Sequence, residues 1–239
     1  MSNAILPIGR VILLRDEHPQ RAPDPRLVIF DCDGVLVDSE PISNGVLARL
    51  LTAEGLPTTL AEARRDYQGL LLSEVVRDAQ ARLSHPLPGD WLERYERERG
   101  EAFRRELEAV EGAAEVVARL SAAGIGVCVA SQGKLEKTRL SLELTGLRRL
   151  FSAEALFSAE TVARGKPHPD LFLHAAAVMG ASPHECVVVE DTASGVTAAA
   201  SAGMRVFGYV ADSDRSALRR AGAEELESLR ELPALLGLG

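Results

Sequence analysis

The stretch that decides the fold is Leu27-Val28-Ile29-Phe30-Asp31-Cys32-Asp33-Gly34, near the beginning of the 239-residue chain. Its four apolar residues predict a short buried strand, and the glycine marks the turn that follows. Because side chains alternate along a strand, Asp31 and Asp33 would share one face while Cys32 points to the other. Two carboxylates so close together repel each other unless one is protonated or a cation lies between them. On this stretch alone, a catalytic or metal-binding edge and a pair of surface aspartates in a turn are equally acceptable interpretations.

The residues after Gly34 divide into a helical region and a region of alternating elements. From Pro41 to Val110 the apolar residues recur at helical spacing without a convincing strand, which predicts an all-helical insertion. Beyond Glu111, predicted strands alternate with helices, as in a parallel sheet covered by helices on both faces. We therefore expect an α/β fold, with a three-layer Rossmann-like parallel sheet core and an inserted all-helical domain. The expected boundaries are 25–40 and 111–239 for the core, 41–110 for the helical domain and 1–24 for an N-terminal extension.

The composition is that of an ordinary globular protein and excludes several kinds of partner. With 27 basic and 35 acidic residues, the net charge of -8 offers no electrostatic footprint for nucleic acid or an anionic membrane. The apolar stretch from Ile5 to Leu14 is too short and interrupted for a signal peptide or a membrane span. The three cysteines form no paired framework, which is typical of reduced, buried thiols. We expect a cytoplasmic monomer.

Polar side chains follow the predicted strands at four places, and in a parallel sheet such strand ends lie on one edge. The first place holds Asp31 and Asp33, and the last holds Glu190 and Asp191. These carboxylates are hard oxygen ligands without histidine or thiolate, a set that suits Mg²⁺ and not zinc. The ordered set is therefore stronger evidence for a functional edge than the first pair alone.

The two middle strand ends offer groups that bind anions. Ser131 and the backbone amides of Gln132 and Gly133 precede a predicted helix, where they would form an anion cradle. Lys166 adds a compact cation that could hold a phosphate and a carboxylate together. A carboxylate nucleophile, a divalent metal, an amide cradle and a lysine are the components that phosphoryl transfer requires.

Each of these residues also has a structural interpretation. Ser131 could only cap the helix that follows, and Lys166 could be an exposed loop lysine. Glu190-Asp191 could be an ordinary helix N-terminus stabilised by the helix dipole. Lys166 is nevertheless one of three lysines in a chain with 24 arginines (27 basic residues less three), which favours a functional role slightly. Each structural interpretation is acceptable alone, but all of them together are improbable.

With these residues in place, the chain resembles the haloacid dehalogenase superfamily, in the subgroup whose helical cap is inserted after the first motif. The resemblance runs from Leu27 to Tyr209 and includes the family's four signatures in order. These are Asp31-Cys32-Asp33-Gly34-Val35, Ser131, Gly165-Lys166-Pro167-His168-Pro169 and Glu190-Asp191-Thr192-Ala193-Ser194-Gly195.

The resemblance implies a role for each signature residue. Asp31 would attack phosphorus, while Asp33 would act first as general acid and then as general base. Ser131 and Lys166 would bind the phosphoryl group, with Gln132 and Gly133 beside them. The implied ligands of Mg²⁺ are the side chains of Asp31 and Asp191 and the backbone carbonyl of Asp33. Glu190 would either bind Mg²⁺ directly or support the residues that do.

The resemblance also narrows the chemistry. Dehalogenases of this fold lack an acid at the position of Asp33, so its presence favours phosphoryl transfer. Phosphonate hydrolases of the family use a cap lysine, and residues 41–110 contain none. The beta-phosphoglucomutase-like branch matches the motifs, but its cap arginine would fall at Leu72 and its cap histidine at Ser43.

We therefore expect a Mg²⁺-dependent phosphatase acting through an aspartyl-phosphate on a small phosphorylated metabolite, a sugar phosphate or sugar-acid phosphate. The alternatives are a beta-phosphoglucomutase-like mutase and, less favoured, a non-catalytic phosphate-binding module. Gln68 and Gly69 are the candidate substrate-binding residues of the cap. Arg65 and Arg77 are further candidates, although such arginines more often form a solvated helix face.

Overall fold

A single parallel sheet forms the centre of the described structure. The computed structural model describes residues 25–68, 70, 72–211 and 213–238; the predicted extension 1–24 and Gly69 lie outside them. Six strands pair in the order β3-β2-β1-β4-β5-β6, and every pairing is parallel. The strands are β1 (Leu27–Phe30), β2 (Gly126–Ser131), β3 (Leu156–Ser158), β4 (Cys186–Glu190), β5 (Arg205–Tyr209) and β6 (Glu224–Leu226).

Helices cover both faces of this sheet. As a result, all four residues of β1 and all five residues of β4 are buried. In the core, α5 packs beside α10, while α7, α8 and α9 pack in succession. The fold class predicted from the sequence, an α/β parallel sheet between helical layers, is confirmed. The core helices are α5 (Ala113–Ala122), α6 (Leu135–Leu144), α7 (Asp170–Val178), α8 (Ala193–Ser201), α9 (Arg215–Ala221) and α10 (Leu232–Leu235).

The first strand lies at the point where the strand order reverses. The chain builds outward from β1 to β2 and β3 on one side, and returns to place β4, β5 and β6 on the other. Loops that leave β1 and β4 in opposite directions open a crevice at the carboxyl ends of the strands. Asp31 follows the last residue of β1 directly, so the fold places it at this crevice.

Four helices between β1 and β2 have an apolar cluster of their own. They are α1 (Glu40–Ala53), α2 (Leu60–Tyr67), α3 (Leu72–Arg82) and α4 (Trp91–Glu106). Trp91 and Tyr95 are buried in this cluster, whereas Phe103, two turns further along α4, belongs to the cluster of the sheet core. Two backbone hydrogen bonds join the entry and exit of the insertion: Asp38 N donates to Glu108 O, and Val110 N donates to Leu36 O, both at 3.0 Å.

The end of the chain contains elements that the sequence analysis did not include. Strand β6 has three residues, and two of them are glutamates, so neither its length nor its composition signals a strand. It forms because it pairs with β5 at the edge of the sheet. Among the described residues, no helix has both the length and the apolar character needed to cross a membrane.

Candidate active site

The carboxyl ends of the strands bring the predicted site residues together around Lys166. The ammonium group of Lys166 donates hydrogen bonds to Asp31 Oδ1, to Glu190 Oε1 and, at 3.0 Å, to the carbonyl oxygen of Ala130. Its side chain is 4% exposed, so it is a buried cation and not the solvent-exposed loop lysine of the structural interpretation. A buried charge is tolerated only when it is paired, and here two carboxylates pair with one lysine.

Glu190 is held in place by the turn that follows β4. Its Oε2 atom accepts hydrogen bonds from the backbone amides of Asp191 and Thr192, both at 3.1 Å, and from the Thr192 hydroxyl at 2.9 Å. Gly195 makes room for this carboxylate, since an ideal Cβ there would lie 1.9 Å from Glu190 Cδ. Protein donors therefore occupy both oxygens of Glu190, which acts as the anchor between Lys166 and the loop.

Asp191 lies in a different situation, because its Oδ1 atom is buried without a hydrogen-bond partner. Gly34 lies against this carboxylate: an ideal Cβ at Gly34 would be 2.1 Å from Asp191 Oδ2. Burial, followed by the charges of Glu190 and Asp31, raises the pKa of Asp191 well above its usual value. Burial also raises the pKa of Asp31 to about 7, with Lys166 opposing and the neighbouring carboxylates adding to the effect. Asp31 and Asp191 therefore have too little positive charge nearby for both carboxylates to be ionised easily.

The lack of positive charge beside Asp31 and Asp191 indicates whether a divalent cation such as Mg²⁺ fits the site. Among the described residues, no group of three or more His, Cys, Asp or Glu side chains is arranged so that it could hold a metal ion as it stands. Asp31 and Glu190 turn toward Lys166, but the second oxygen of Asp31 and the unpartnered oxygen of Asp191 remain as hard donors. Mg²⁺ typically binds through one or two carboxylates and keeps several waters, so this donor set fits it.

Asp33, the second predicted carboxylate, contacts a different set of donors. It accepts a hydrogen bond of 2.6 Å from the Ser39 hydroxyl and forms an ion pair with Lys137 of α6. Burial acts to raise the pKa of Asp33, but Lys137 and Ser39 outweigh it and hold the pKa below the usual range. The arrangement therefore favours the ionised carboxylate, the form that can act as a base.

The loop after β2 connects the predicted anion cradle to Lys166. The Ser131 hydroxyl is buried and accepts a hydrogen bond of 3.0 Å from the Gly133 amide. Gln132 Oε1 accepts a hydrogen bond of 2.9 Å from the backbone amide of Lys166, so its side chain fixes the lysine loop. Gly133 lies near the first motif, since an ideal Cβ on it would be 4.0 Å from Asp33 Oδ2. The structure thus gathers all the predicted core residues at one edge.

A cavity of about 590 Å³ extends from this edge to the four inserted helices. Of the predicted cap residues, Gln68 lines the cavity, whereas Gly69 lies outside the described residues. Arg65 and Arg77 do not line it: they are exposed and pair with Asp66 and Glu74. For these two arginines the structural interpretation, a solvated helix face, is the one that the geometry favours.

Three basic residues that were not selected from the sequence line the cavity: Arg99, Lys134 and Lys137. Lys137 contacts Asp33, and Arg99 of α4 lies over the ring of Tyr95, 5.0 Å from its centroid. The signal for Arg99 is present in the sequence, because Trp91, Tyr95, Arg99 and Phe103 are spaced four apart and share one stripe of the helix. An arginine on the aromatic stripe of a charged helix is unusual enough to mark it as a candidate.

Three comparisons with known proteins agree on the family. The family model of the haloacid dehalogenase-like hydrolases matches residues 25–203. The chain is 32% identical over 209 residues to 6-phosphogluconate phosphatase of Escherichia coli (strain K12), covering 87% of this chain and 93% of that protein. It is also 32% identical to hexitol phosphatase B of the same organism, with 87% and 96% covered. Among solved structures, a HAD family hydrolase of Deinococcus radiodurans R1 with bound phosphate and sodium matches with a TM-score of 0.77 and 34% identity, covering 90% of this chain and 97% of that one.

Proposed function

We propose that this chain, which belongs to the haloacid dehalogenase-like hydrolase family, is a Mg²⁺-dependent phosphatase that hydrolyses a phosphorylated sugar or sugar acid through an aspartyl-phosphate. The observation that carries the proposal is the convergence of Asp31, Lys166, Glu190 and Asp191 at one strand edge, with Asp33 beside them. A binding site alone would not require a nucleophilic carboxylate and a second acid together.

In the first step Asp31 attacks phosphorus. A bond forms between a carboxylate oxygen of Asp31 and the phosphoryl group, and the bond from phosphorus to the substrate alcohol breaks. Asp33 donates a proton to the departing oxygen, which therefore leaves as an alcohol. Asp33 must acquire that proton before the step, since its contacts with Lys137 and Ser39 favour the ionised form.

In the second step a water molecule attacks phosphorus of the aspartyl-phosphate. Asp33 accepts the proton of this water, the bond from phosphorus to Asp31 breaks, and inorganic phosphate leaves. The contacts of Asp33 with Lys137 and Ser39 favour the ionised carboxylate, which is the form that this step needs. Lys166 and the amide cradle at Ser131 and Gly133 hold the phosphoryl oxygens in both steps.

Asp31 and Asp191 would hold Mg²⁺, together with the backbone carbonyl of Asp33. Bound Mg²⁺ would supply positive charge that keeps both carboxylates ionised and offsets the charge of the phosphoryl group. Glu190 supports the site from behind, because both of its oxygens already accept hydrogen bonds from protein donors.

Residues 41–110 serve as a cap domain in this proposal. The cap would close over the strand edge, with hinges at 37–39 and 111–112, and exclude water while Asp31 carries the phosphoryl group. The cavity of about 590 Å³ between the cap and the edge is of the size that small-molecule ligands occupy.

The cap residues favour hydrolysis over the mutase alternative. Ser43 and Leu72, the positions where the mutase-like branch would carry its histidine and arginine, both line the cavity. Neither side chain can bind a second phosphate as an arginine would, because Leu72 is apolar and Ser43 is uncharged. The cap therefore lacks the histidine and the arginine of the mutase-like branch at these two positions, and the arginine that it does place in the cavity, Arg99, comes from a different helix, α4.

The experiment that tests the function is turnover of an aryl phosphate with and without Mg²⁺. Asp31→Asn should abolish turnover because an amide cannot form the acyl phosphate. Asp90→Asn is the matched control, since Asp90 is exposed and its side chain caps nothing. Substantial phosphatase activity of the folded Asp31→Asn protein would contradict the proposal.

A further inference from the structure

The cavity holds four basic side chains, and three of them already have carboxylate partners. Lys166 pairs with Asp31 and Glu190, Lys137 with Asp33, and Lys134 with Glu96 at 2.8 Å. Arg99 forms no ion pair with any carboxylate among the described residues, although it lines the same cavity. Among the described residues that line this cavity, Arg99 is thus the basic side chain that no carboxylate ion-pairs.

Aromatic rings hold Arg99 in place. Its Cζ atom lies 5.0 Å from the ring centroid of Tyr95 and 5.9 Å from that of Phe103. Both rings belong to buried residues of the same helix, so the guanidinium lies against two packed aromatic side chains and not against a loop. Such a preorganised guanidinium loses little conformational freedom when it binds an anion.

The position of Arg99 separates it from the phosphoryl group. The Phe103 ring that it touches also lies 5.6 Å from the ammonium of Lys137, which contacts Asp33. In the proposed function Asp33 faces the substrate alcohol, whereas Lys166, which contacts Asp31 and Glu190 at the strand edge and not the inserted helices, holds the phosphoryl oxygens. Arg99 therefore lies on the side of the cavity that receives the organic part of the substrate.

Resting on the proposed phosphatase function, we propose that Arg99 binds a carboxylate on the organic part of the substrate, so that the preferred substrates are phosphorylated sugar acids. A guanidinium accepts a carboxylate in a bidentate arrangement, and Lys137 adds a second positive charge nearby. Most of the other charged groups of the wall are acidic, among them Glu40 and Glu74, and the two remaining lysines, Lys134 and Lys166, are already paired with carboxylates. Arg99 is thus the group that decides where, and whether, a second anionic group binds.

Two ligands that differ in a single group test this inference. Gluconate 6-phosphate ends in a carboxylate, and glucitol 6-phosphate has a hydroxymethyl group at the same place. Both are titrated calorimetrically, with Mg²⁺ present, into the full-length Asp31→Asn protein, which cannot turn them over. A charge-assisted hydrogen-bond pair predicts that the sugar acid binds about 10- to 100-fold more tightly than the sugar alcohol.

Three variants in the same background assign that preference to Arg99. Arg99→Met should reduce the affinity ratio of the two ligands to near unity, and Arg99→Lys should restore part of it. Arg97→Met is the matched control, because Arg97 is exposed on the same helix and does not line the cavity. Absence of a preference in the parent protein, or a preference that survives in Arg99→Met, would overturn the inference. Failure of the phosphatase proposal would appear separately, as no turnover of any phosphate by the unmodified protein.

Discussion

Replacing Gly34 by alanine should disable the metal site while leaving the fold intact. Gly34 has a φ of +75°, and an ideal Cβ there would lie 2.1 Å from Asp191 Oδ2 and 2.8 Å from its Cγ. Both distances are far below van der Waals contact, so the Asp191 carboxylate has to move. Gly55→Ala is the matched control: its φ is +88°, yet an ideal Cβ meets nothing within 4 Å.

Both variants should be destabilised by backbone strain, but only Gly34→Ala should also lose stabilisation by Mg²⁺. A left-handed backbone costs an L-residue about 1–2 kcal/mol, so both should melt about 2–8 °C lower than the parent protein. Added Mg²⁺ at 100 times its Kd stabilises a protein that binds it by about 2.7 kcal/mol, or about 5–11 °C for a chain of this size. Gly55→Ala should keep this Mg²⁺-dependent rise, whereas Gly34→Ala should lose most of it.

The assay is a thermal melt of each protein in EDTA and in excess Mg²⁺, followed by turnover of an aryl phosphate. Gly34→Ala should lose turnover by at least about 100-fold, since removing one electrostatic contact to a transition state commonly costs that much. If Gly34→Ala kept the full Mg²⁺-dependent rise in melting temperature, Asp191 would not be a metal ligand. If Gly55→Ala lost it as well, the effect would come from backbone strain and not from the contact with Asp191.

Three further outcomes follow from the described contacts. Asp33→Asn should slow both formation and hydrolysis of the aspartyl-phosphate by about 100-fold or more, as measured in single-turnover experiments, and normal turnover would remove Asp33 from the acid–base role. Burial, and then the charge of Asp33, raises the pKa of Glu40 above 4.5, so its ionised form opposes folding at neutral pH. Glu40→Gln should therefore raise the melting temperature at about pH 8. This gain should shrink as the pH falls toward 4.5, because Glu40 of the folded parent protein then becomes protonated. A gain that does not depend on pH would refute the assignment. Burial raises the pKa of the three thiols, so a thiol reagent should label the native protein far more slowly than the unfolded one; the three are Cys32, Cys128 and Cys186.

Prediction from the sequence succeeds where local pattern and chain order carry the information. The strand Leu27–Phe30 is a continuous apolar run, and alternation of strands and helices after Glu111 leaves few topologies other than a parallel sheet. Once the strands are parallel, Asp31, Lys166 and Asp191 must end on one edge. Their meeting could therefore be predicted without coordinates.

The partners of each site residue could not be predicted in the same way. Lys137 lies more than 100 residues from Asp33 in the chain, and only the packing of α6 under the first motif brings them together. Arg65 and Arg77 looked as suitable as Arg99 by residue type, but neighbouring carboxylates pair with them on the exposed face of the inserted helices. Which arginine faces the cavity depends on how each helix is rotated about its axis, a tertiary property that composition does not carry.

The charge balance of the cavity connects the metal with the choice of substrate. Seven acidic side chains and four basic ones line it, an excess of three negative charges when all are ionised. A phosphate monoester would add about two more negative charges. The cavity would therefore repel an anionic substrate unless a cation binds as well. Mg²⁺ held by Asp31 and Asp191, as proposed, would offset two charges at the phosphoryl end. A carboxylate on the organic part of the substrate therefore needs a separate cation. Among the described residues that line the cavity, Arg99 is the basic side chain that forms no ion pair with a protein carboxylate.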